Sequence, residues 1–363
     1  MKKIILLITL LIVPFALTGC SLGELFLSSG SSNQGGVFKS VDFGETFQNS
    51  SLIGYKGDKP ITVSNLQVTK IEIDYLNSKN VFLGAVSDGV WYSNNYGENW
   101  RQIFKTGYIY DIVLDPQNSG VVYISNGKNV YKSLDLGENW DSLYWETRDK
   151  YVISALAINP AENLTLYLGT SGGEIQKTVD GGESWEKIFE LKGAVIKKIL
   201  INPKKTSTIY VGTASAGIFK SDDAGKNWTN LKENYFPSTR ENLELRRARK
   251  GVTYFQDLIF DLTKNDGLLY GSNFGLIRSD DGGQTWSDIN ILTPANEVYA
   301  RELAINPRDN KQIYYGTLDA FYRTFDSGKT WLVSPLPTNY SVGALAIDTI
   351  NPNIIYMGMR KIK

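Results

Sequence analysis

The stretch "SLDLGENW", Ser133–Trp140, is written seven times along this chain with small changes. Its other copies are "SVDFGETF" (Ser40–Phe47), "SNNYGENW" (Ser93–Trp100), "TVDGGESW" (Thr178–Trp185), "SDDAGKNW" (Ser221–Trp228), "SDDGGQTW" (Ser279–Trp286) and "TFDSGKTW" (Thr324–Trp331). Their starts are separated by 53, 40, 45, 43, 58 and 45 residues, a period that accommodates four short strands. Each repeat has the same order. An alternating apolar strand closes on Asn/Asp-Pro or a variant ("ALAINP", "DIVLDP", "ELAINP"). A β-branched and aromatic strand follows ("TLYLGT", "TIYVGT", "QIYYGT"), then a third strand, the eight-residue box, and a fourth strand led by the box tryptophan.

Four up-and-down strands at this period predict an all-β fold, a seven-bladed β-propeller with four antiparallel strands per blade. After its first 35 residues the chain opens on a box with its flanking strands, "GVFKSVDFGETFQ", and it closes on the complementary strands, "GALAID" and "NIIYMGM". One blade is therefore shared between the N- and C-terminal segments, and that pairing closes the ring and removes its free edge.

Within the box, the acidic or amide residue (Asp42, Asn95, Asp135, Asp180, Asp223, Asp281, Asp326) suits capping of turn amides, and a glycine in every copy suits a left-handed backbone. Six boxes end in tryptophan (Trp100, Trp140, Trp185, Trp228, Trp286, Trp331) and one in Phe47, so a large ring is required between blades. Seven equivalent hairpins around a ring point away from one another. The box therefore reads as a turn staple rather than a catalytic site, with a weaker staple expected at Asn95.

These boxes and their flanking strands resemble the Asp-box, or BNR, repeats of sialidases, sortilin, xyloglucan-degrading endoglucanases and the photosystem II assembly factors. The resemblance runs from Gly36 to Met359, and a lone seven-bladed ring is most similar to the assembly factors. It implies a fold; it leaves open a binding scaffold, a glycoside hydrolase and a carbohydrate-binding propeller.

The chain has no histidine and a single cysteine, Cys20. No Ser-His-Asp or Cys-His nucleophile, imidazole zinc site or disulfide framework can be assembled, and no metal or cofactor is expected. Lysine and arginine number 38 and aspartate and glutamate 38, a balance that argues against nucleic acid as a partner. The leader "MKKIILLITLLIVPFALTGC" has a basic start, an apolar run broken by Pro14, and a lipobox-like "LTGC". The expectation is a lipoprotein signal peptide over 1–19, lipidation at Cys20, a flexible tether over 20–35 ("SSGSSNQGG"), and the propeller over 36–363. That predicts an extracytoplasmic, membrane-anchored lipoprotein.

Two connections on the face opposite the boxes are long: 49–65 and 232–252. The second carries Arg240, Arg246, Arg247, Arg249 and Lys250, a basic patch for an acidic partner or a solvated loop paired with Glu241 and Glu244. Tyr144, Trp145, Glu297, Tyr299 and Arg301 are expected at a rim on that same face. Four residues before the end of each innermost strand stand Lys70, Asp111, Ala155, Lys198, Asp257, Glu302 and Ala344, which places five charges at one level of the central channel. Asp111, Asp257 and Glu302 are the only carboxylates to consider for glycoside hydrolysis, and the repeat order is expected to hold them on non-adjacent blades. The leading expectation is a non-enzymatic scaffold for another envelope protein, with a surface glycan as the alternative ligand.

Overall fold

The computed structural model describes residues 35–57, 59–235, 251–293, 297 and 299–361. Seven four-stranded antiparallel sheets form the blades of a propeller, and one extra two-stranded hairpin stands outside them. Counted from the first complete unit, the innermost strands of blades one to seven are Val68–Ile73, Asp111–Leu114, Ile153–Ile158, Ile196–Ile201, Phe255–Asp261, Glu302–Asn306 and Ser341–Ile347. Blade seven is completed by the chain's first strand: Gly36–Ser40 lies between Ile355–Arg360 and Gln48–Asn49, with Val37 opposite Gly358. The extra hairpin, Leu52–Lys56 with Lys59–Thr62, fills the long connection from blade seven to blade one. Helix is confined, among the described residues, to one 3-10 turn at Leu231–Tyr235.

The core is a circle of interfaces between neighbouring blades. The second strand of every blade carries a large buried side chain at one register position: Phe82, Tyr123, Tyr167, Tyr210, Leu269, Tyr314 or Tyr356, each no more than 1% exposed. Two residues further on, six blades have glycine, where a Cβ would strike the next blade. An added methyl would lie 2.4 Å from Ile196 at Gly169 and 2.0 Å from Phe255 at Gly212. Blade two has Ser125 instead, and its hydroxyl donates to the carbonyl of Ile153 in blade three at 2.7 Å. Close approach of sheets is thus written into a single position, by removing the side chain or by giving it a bond to make.

The boxes are hydrogen-bonded hairpins between the third and fourth strands. In the box at Asp135, Ser133 Oγ accepts the N–H of Gly137 at 2.8 Å and donates to Asp135 Oδ1 at 2.8 Å, and Oδ1 accepts the N–H of Asn139 at 2.9 Å. The second carboxylate oxygen accepts the Asn139 side-chain amide at 2.7 Å. Asn95 keeps the backbone bond from Asn99 at 3.0 Å, but with an amide nitrogen in place of that second oxygen it has no acceptor for the Asn99 side chain. The residue before the box glycine also lies at positive φ. The five non-glycine residues at positive φ among the described residues, Phe43, Tyr96, Leu136, Ala224 and Ser327, all occupy this position.

That strained residue has a purpose in the ring. Its N–H donates to the hairpin between the first two strands of its own blade, as Leu136 does to Gly120 at 3.0 Å. Its carbonyl faces the preceding blade: Tyr356 Oη donates to Tyr96 at 2.9 Å and Tyr167 Oη to Ala224 at 3.4 Å. The box ring packs backward as well. Trp140 meets Phe104, Trp185 meets Tyr144 and Trp228 stacks on Phe189, with centroids 5.6, 5.6 and 5.1 Å apart. Boxes and first hairpins therefore share one face of the disc, and the connections between blades occupy the other, the loop face.

Candidate functional site

Alternation along the innermost strands points every second side chain at the axis, and the ring encloses a channel of about 590 Å³. Near the loop face lie Lys70, Asp111, Lys198, Asp257 and Glu302; one step toward the box face the wall turns apolar, with Val113, Leu200, Ile259 and Ala304 beside Glu72. The box-face mouth is lined by Pro116, Pro160, Pro203 and Pro307 with Tyr75 and Leu262.

The charges form two copies of one three-blade ladder. Lys70 Nζ in blade one meets Asp111 Oδ1 in blade two at 3.0 Å; Lys198 Nζ in blade four meets Asp257 Oδ1 in blade five at 2.5 Å. Each aspartate also accepts the next N–H of its own strand, Ile112 at 3.1 Å and Leu258 at 2.8 Å. The remaining oxygen reaches one blade onward, accepting Leu156 N–H at 2.9 Å from Asp111 and Leu303 N–H at 3.1 Å from Asp257. Asp111 and Asp257 are thus latches between blades, with both oxygens of each engaged. Lys70 is additionally bonded to Glu72 at 3.2 Å; although burial opposes its charge, Asp111 and Glu72 hold its pKa well above the usual lysine value.

Glu302 differs from the other acids. Its carboxyl makes no hydrogen bond or ion pair with a described residue, and its pKa is pushed up to about 8, by burial first and then by the Asp257 carboxylate. The two acids belong to blades five and six, whose innermost strands pack side by side. The expectation that the three acids sit on non-adjacent blades therefore fails for Asp257 and Glu302, because only one box, Ser279–Trp286, separates them along the chain and they fall in consecutive repeats.

At the loop-face end, just above the charged level, Gln256, Arg301, Glu302, Val342, Gly343 and Arg360 enclose a recess of about 80 Å³. Arg301 and Arg360 approach closely enough that Arg301, already disfavoured by burial, has its pKa lowered further by Arg360. Arg360 Nη1 donates to Tyr108 Oη at 3.1 Å.

The BNR/Asp-box repeat model matches residues 277–288. The chain carries the Asp-box repeat. It is 24% identical over 189 residues to a xyloglucanase of Hypocrea jecorina (strain QM6a), covering 45% of this chain and 22% of that protein. It is 42% identical over 67 residues to the photosystem II assembly lipoprotein Ycf48 of Synechococcus sp. (strain CC9902), covering 17% of this chain and 19% of that protein. The chain thus aligns with less than a quarter of the length of either relative. Among solved structures, a GH74 enzyme of Niastella koreensis superposes with a TM-score of 0.65 at 17% identity, covering 81% of this chain and 51% of that one. Ycf48 bound to D1 peptide superposes with a TM-score of 0.58 at 12% identity, covering 82% and 94%. At these identities the superpositions speak for the fold.

The Asp-box ring does not gather the expected rim into one place. Tyr144 is on the outermost strand of blade two, where its hydroxyl accepts Gln176 Nε2 at 2.8 Å beneath Trp185, so it packs between blades. Trp145 follows it and is 68% exposed. Tyr299 and Arg301 precede the innermost strand of blade six, and Arg301 lines the recess at the loop-face end of the channel. Cys20, Arg240, Arg246, Arg247, Arg249 and Lys250 lie outside the described residues. Sequence reasoning missed Arg360, Gln256 and Gly343. The signal was available in the repeat register, since Gln256, Arg301 and Gly343 occupy the same position of three consecutive blades.

Proposed function

We propose that this protein is a non-enzymatic scaffold that binds a segment of another envelope protein on the loop face of its propeller, held at the membrane by a lipid on Cys20. The observation that carries this reading is the engagement of Asp111 and Asp257: carboxylates committed to bonds with Leu156 and Leu303 are not free to serve as the acid and base that glycoside hydrolysis needs. Glu302 remains as one unpaired acid, and one acid without a partner does not meet that requirement. The likeness to Ycf48, including a structure holding a D1 peptide, supports a peptide segment as the type of ligand.

The test is photo-crosslinking in cells from positions around the loop face, such as Tyr254 and Gln256, with mass spectrometry of the adducts. One recurrent membrane or envelope protein is expected. Loss of Cys20 by Cys20→Ser is expected to release the chain from the membrane fraction; retention there after that change would remove the anchor from the proposal.

A second reading, a carbohydrate-binding or hydrolytic propeller, is favoured by the xyloglucanase likeness over 45% of the chain and by the exposed Trp145. Glycan-array binding abolished by Trp145→Ala, or release of sugar abolished by Glu302→Gln, would favour it over the scaffold.

A further inference from the structure

We propose that the recess between Arg301 and Arg360 at the loop-face mouth of the channel is a carboxylate-binding site, taking a single carboxylate from the bound protein segment. The inference deepens the scaffold reading by naming the chemistry of the partner's contact, and it rests on that reading only for where the carboxylate comes from.

The seven-fold repeat supplies its own controls. In most blades the innermost strand carries a bulge, or register shift, just before its channel-facing charge position. At that bulge Thr69 Oγ1 donates to the Ile109 carbonyl at 2.7 Å, and Ser154 Oγ donates to Ile196 at 2.6 Å. In those blades the side chain ties its blade to the next one. Arg301 occupies the equivalent place in blade six and makes no such tie. Its Nε is buried and bonded to nothing among the described residues. A buried guanidinium N–H without an acceptor is a costly arrangement. Arg278 and Arg323 also bury an unbonded Nε, and what sets Arg301 apart is its pairing with Arg360 across a recess, which points to an acceptor that arrives with a ligand.

The neighbouring blade makes room for that acceptor. Blade seven has Gly343 at the bulge, where an added Cβ would lie 2.5 Å from the Val68 carbonyl oxygen of blade one and 2.6 Å from the Arg360 Cβ. Absence of a side chain there leaves the Arg360 guanidinium beside the recess, fixed from behind by Tyr108. Gln256, the bulge residue of blade five, lines the other side and donates its amide to Asn273 Oδ1 at 2.6 Å. The two guanidinium groups share so small a recess with the carboxyl of Glu302, which burial and Asp257 hold toward its neutral form, so their charges repel one another unless an anion lies between them. A planar anion with two acceptor oxygens matches the fork of donors that each arginine presents. A recess of about 80 Å³ admits such a group and little more.

The experiment is thermal unfolding of the full chain in detergent, in 200 mM sodium propionate against 200 mM sodium chloride. Wild type is expected to gain about 2 °C in propionate, the size of effect that binding to the native state alone with a Kd on the order of tens of millimolar produces. Arg301→Gln and Arg360→Gln are each expected to remove that gain. Arg360→Gln is also expected to match or exceed wild type in chloride, because it relieves the repulsion; equal losses in both salts would assign the pair a purely structural role and overturn the proposal. A larger gain with inorganic phosphate than with propionate would overturn the carboxylate class. Acetyl-Gly-Gly-Ala with a free C-terminus and acetyl-glutamate amide distinguish a chain-end carboxylate from a side-chain one. Because propionate involves no partner protein, failure here is separable from failure of the crosslinking experiment.

Discussion

Asp257 joins three blades: its Oδ1 holds Lys198 of the preceding blade at 2.5 Å, while its Oδ2 accepts the N–H of Leu303 in the following blade at 3.1 Å. A carboxylate in that position contributes chiefly by satisfying groups that would otherwise be buried without partners. Asp257→Ala strips Lys198 and two backbone amides together and is expected to cost about 3–5 kcal/mol, the range for breaking a buried pair by removing one member. Lys198→Met leaves both amide bonds to Asp257 in place and is expected to cost less. Urea denaturation of the two variants checks the order; equal losses would mean that the ion pair, not the latch to Leu303, dominates.

The unpaired acid gives the opposite sign. Glu302 has a native pKa pushed up to about 8, while in the unfolded chain it titrates near about 4.3. Between those values the unfolded state loses its proton and the native state keeps it. Stability contributed by this group is therefore full below about pH 4.3 and falls progressively as pH rises through 8. Glu302→Gln cannot ionise, so relative to wild type it is expected to gain stability across that window, on the order of 1–2 kcal/mol by pH 9, channel water moderating the effect. The denaturation midpoints of the two proteins are expected to diverge as pH rises; parallel profiles would show that Glu302 is not held neutral.

The fold was legible because its determinants repeat. Seven boxes at a near-constant spacing, with complementary half-units at the two ends, dictate the blade count and the pairing of Gly36–Ser40 with Ile355–Arg360. The site was less legible because it depends on what breaks the repeat. Asp111 and Asp257 look alike as catalytic candidates or as latches until the N–H groups of Leu156 and Leu303 are placed against them. Tyr144 reads as a rim aromatic because it adjoins exposed Trp145, yet alternation along the strand turns it onto Trp185 of the next blade. Arg360 precedes no motif, and only the closing blade brings it beside Arg301.

Blade spacing offers a third expectation. A Cβ at Gly212 would lie 2.0 Å from the ring of Phe255, and that ring is part of the core between blades four and five. Gly212→Ala forces the two sheets apart and is expected to cost about 2–3 kcal/mol, the upper range for overpacking. Ser125→Gly at the equivalent place in blade two restores the residue that the other blades carry, losing the bond to the Ile153 carbonyl and the weaker one accepted from Gly127 N–H at 3.2 Å, and is expected to cost about 1 kcal/mol. Melting temperatures that rank the two variants the other way would break the equivalence of the position.

The box at Asn95 is incomplete, and Asn95→Asp is the change that completes it. In the other boxes the second carboxylate oxygen accepts a side-chain donor, and those bonds hold the acid below its ordinary pKa. For Asp135 the backbone and side chain of Asn139 are the leading causes, and the value is about 2. An aspartate at position 95 would meet Asn99 in the same way, and its hydrogen bonds to charge are worth more than those of an amide. The gain is expected to be about 0.5–1 kcal/mol at neutral pH. The sign with pH follows from the depressed native pKa: the benefit is present above the unfolded aspartate value of about 3.9 and disappears as pH falls toward 2. Urea midpoints of Asn95→Asp and wild type are therefore expected to differ at pH 7 and to converge near pH 2; a difference that persists in acid would assign the effect to packing rather than to the carboxylate.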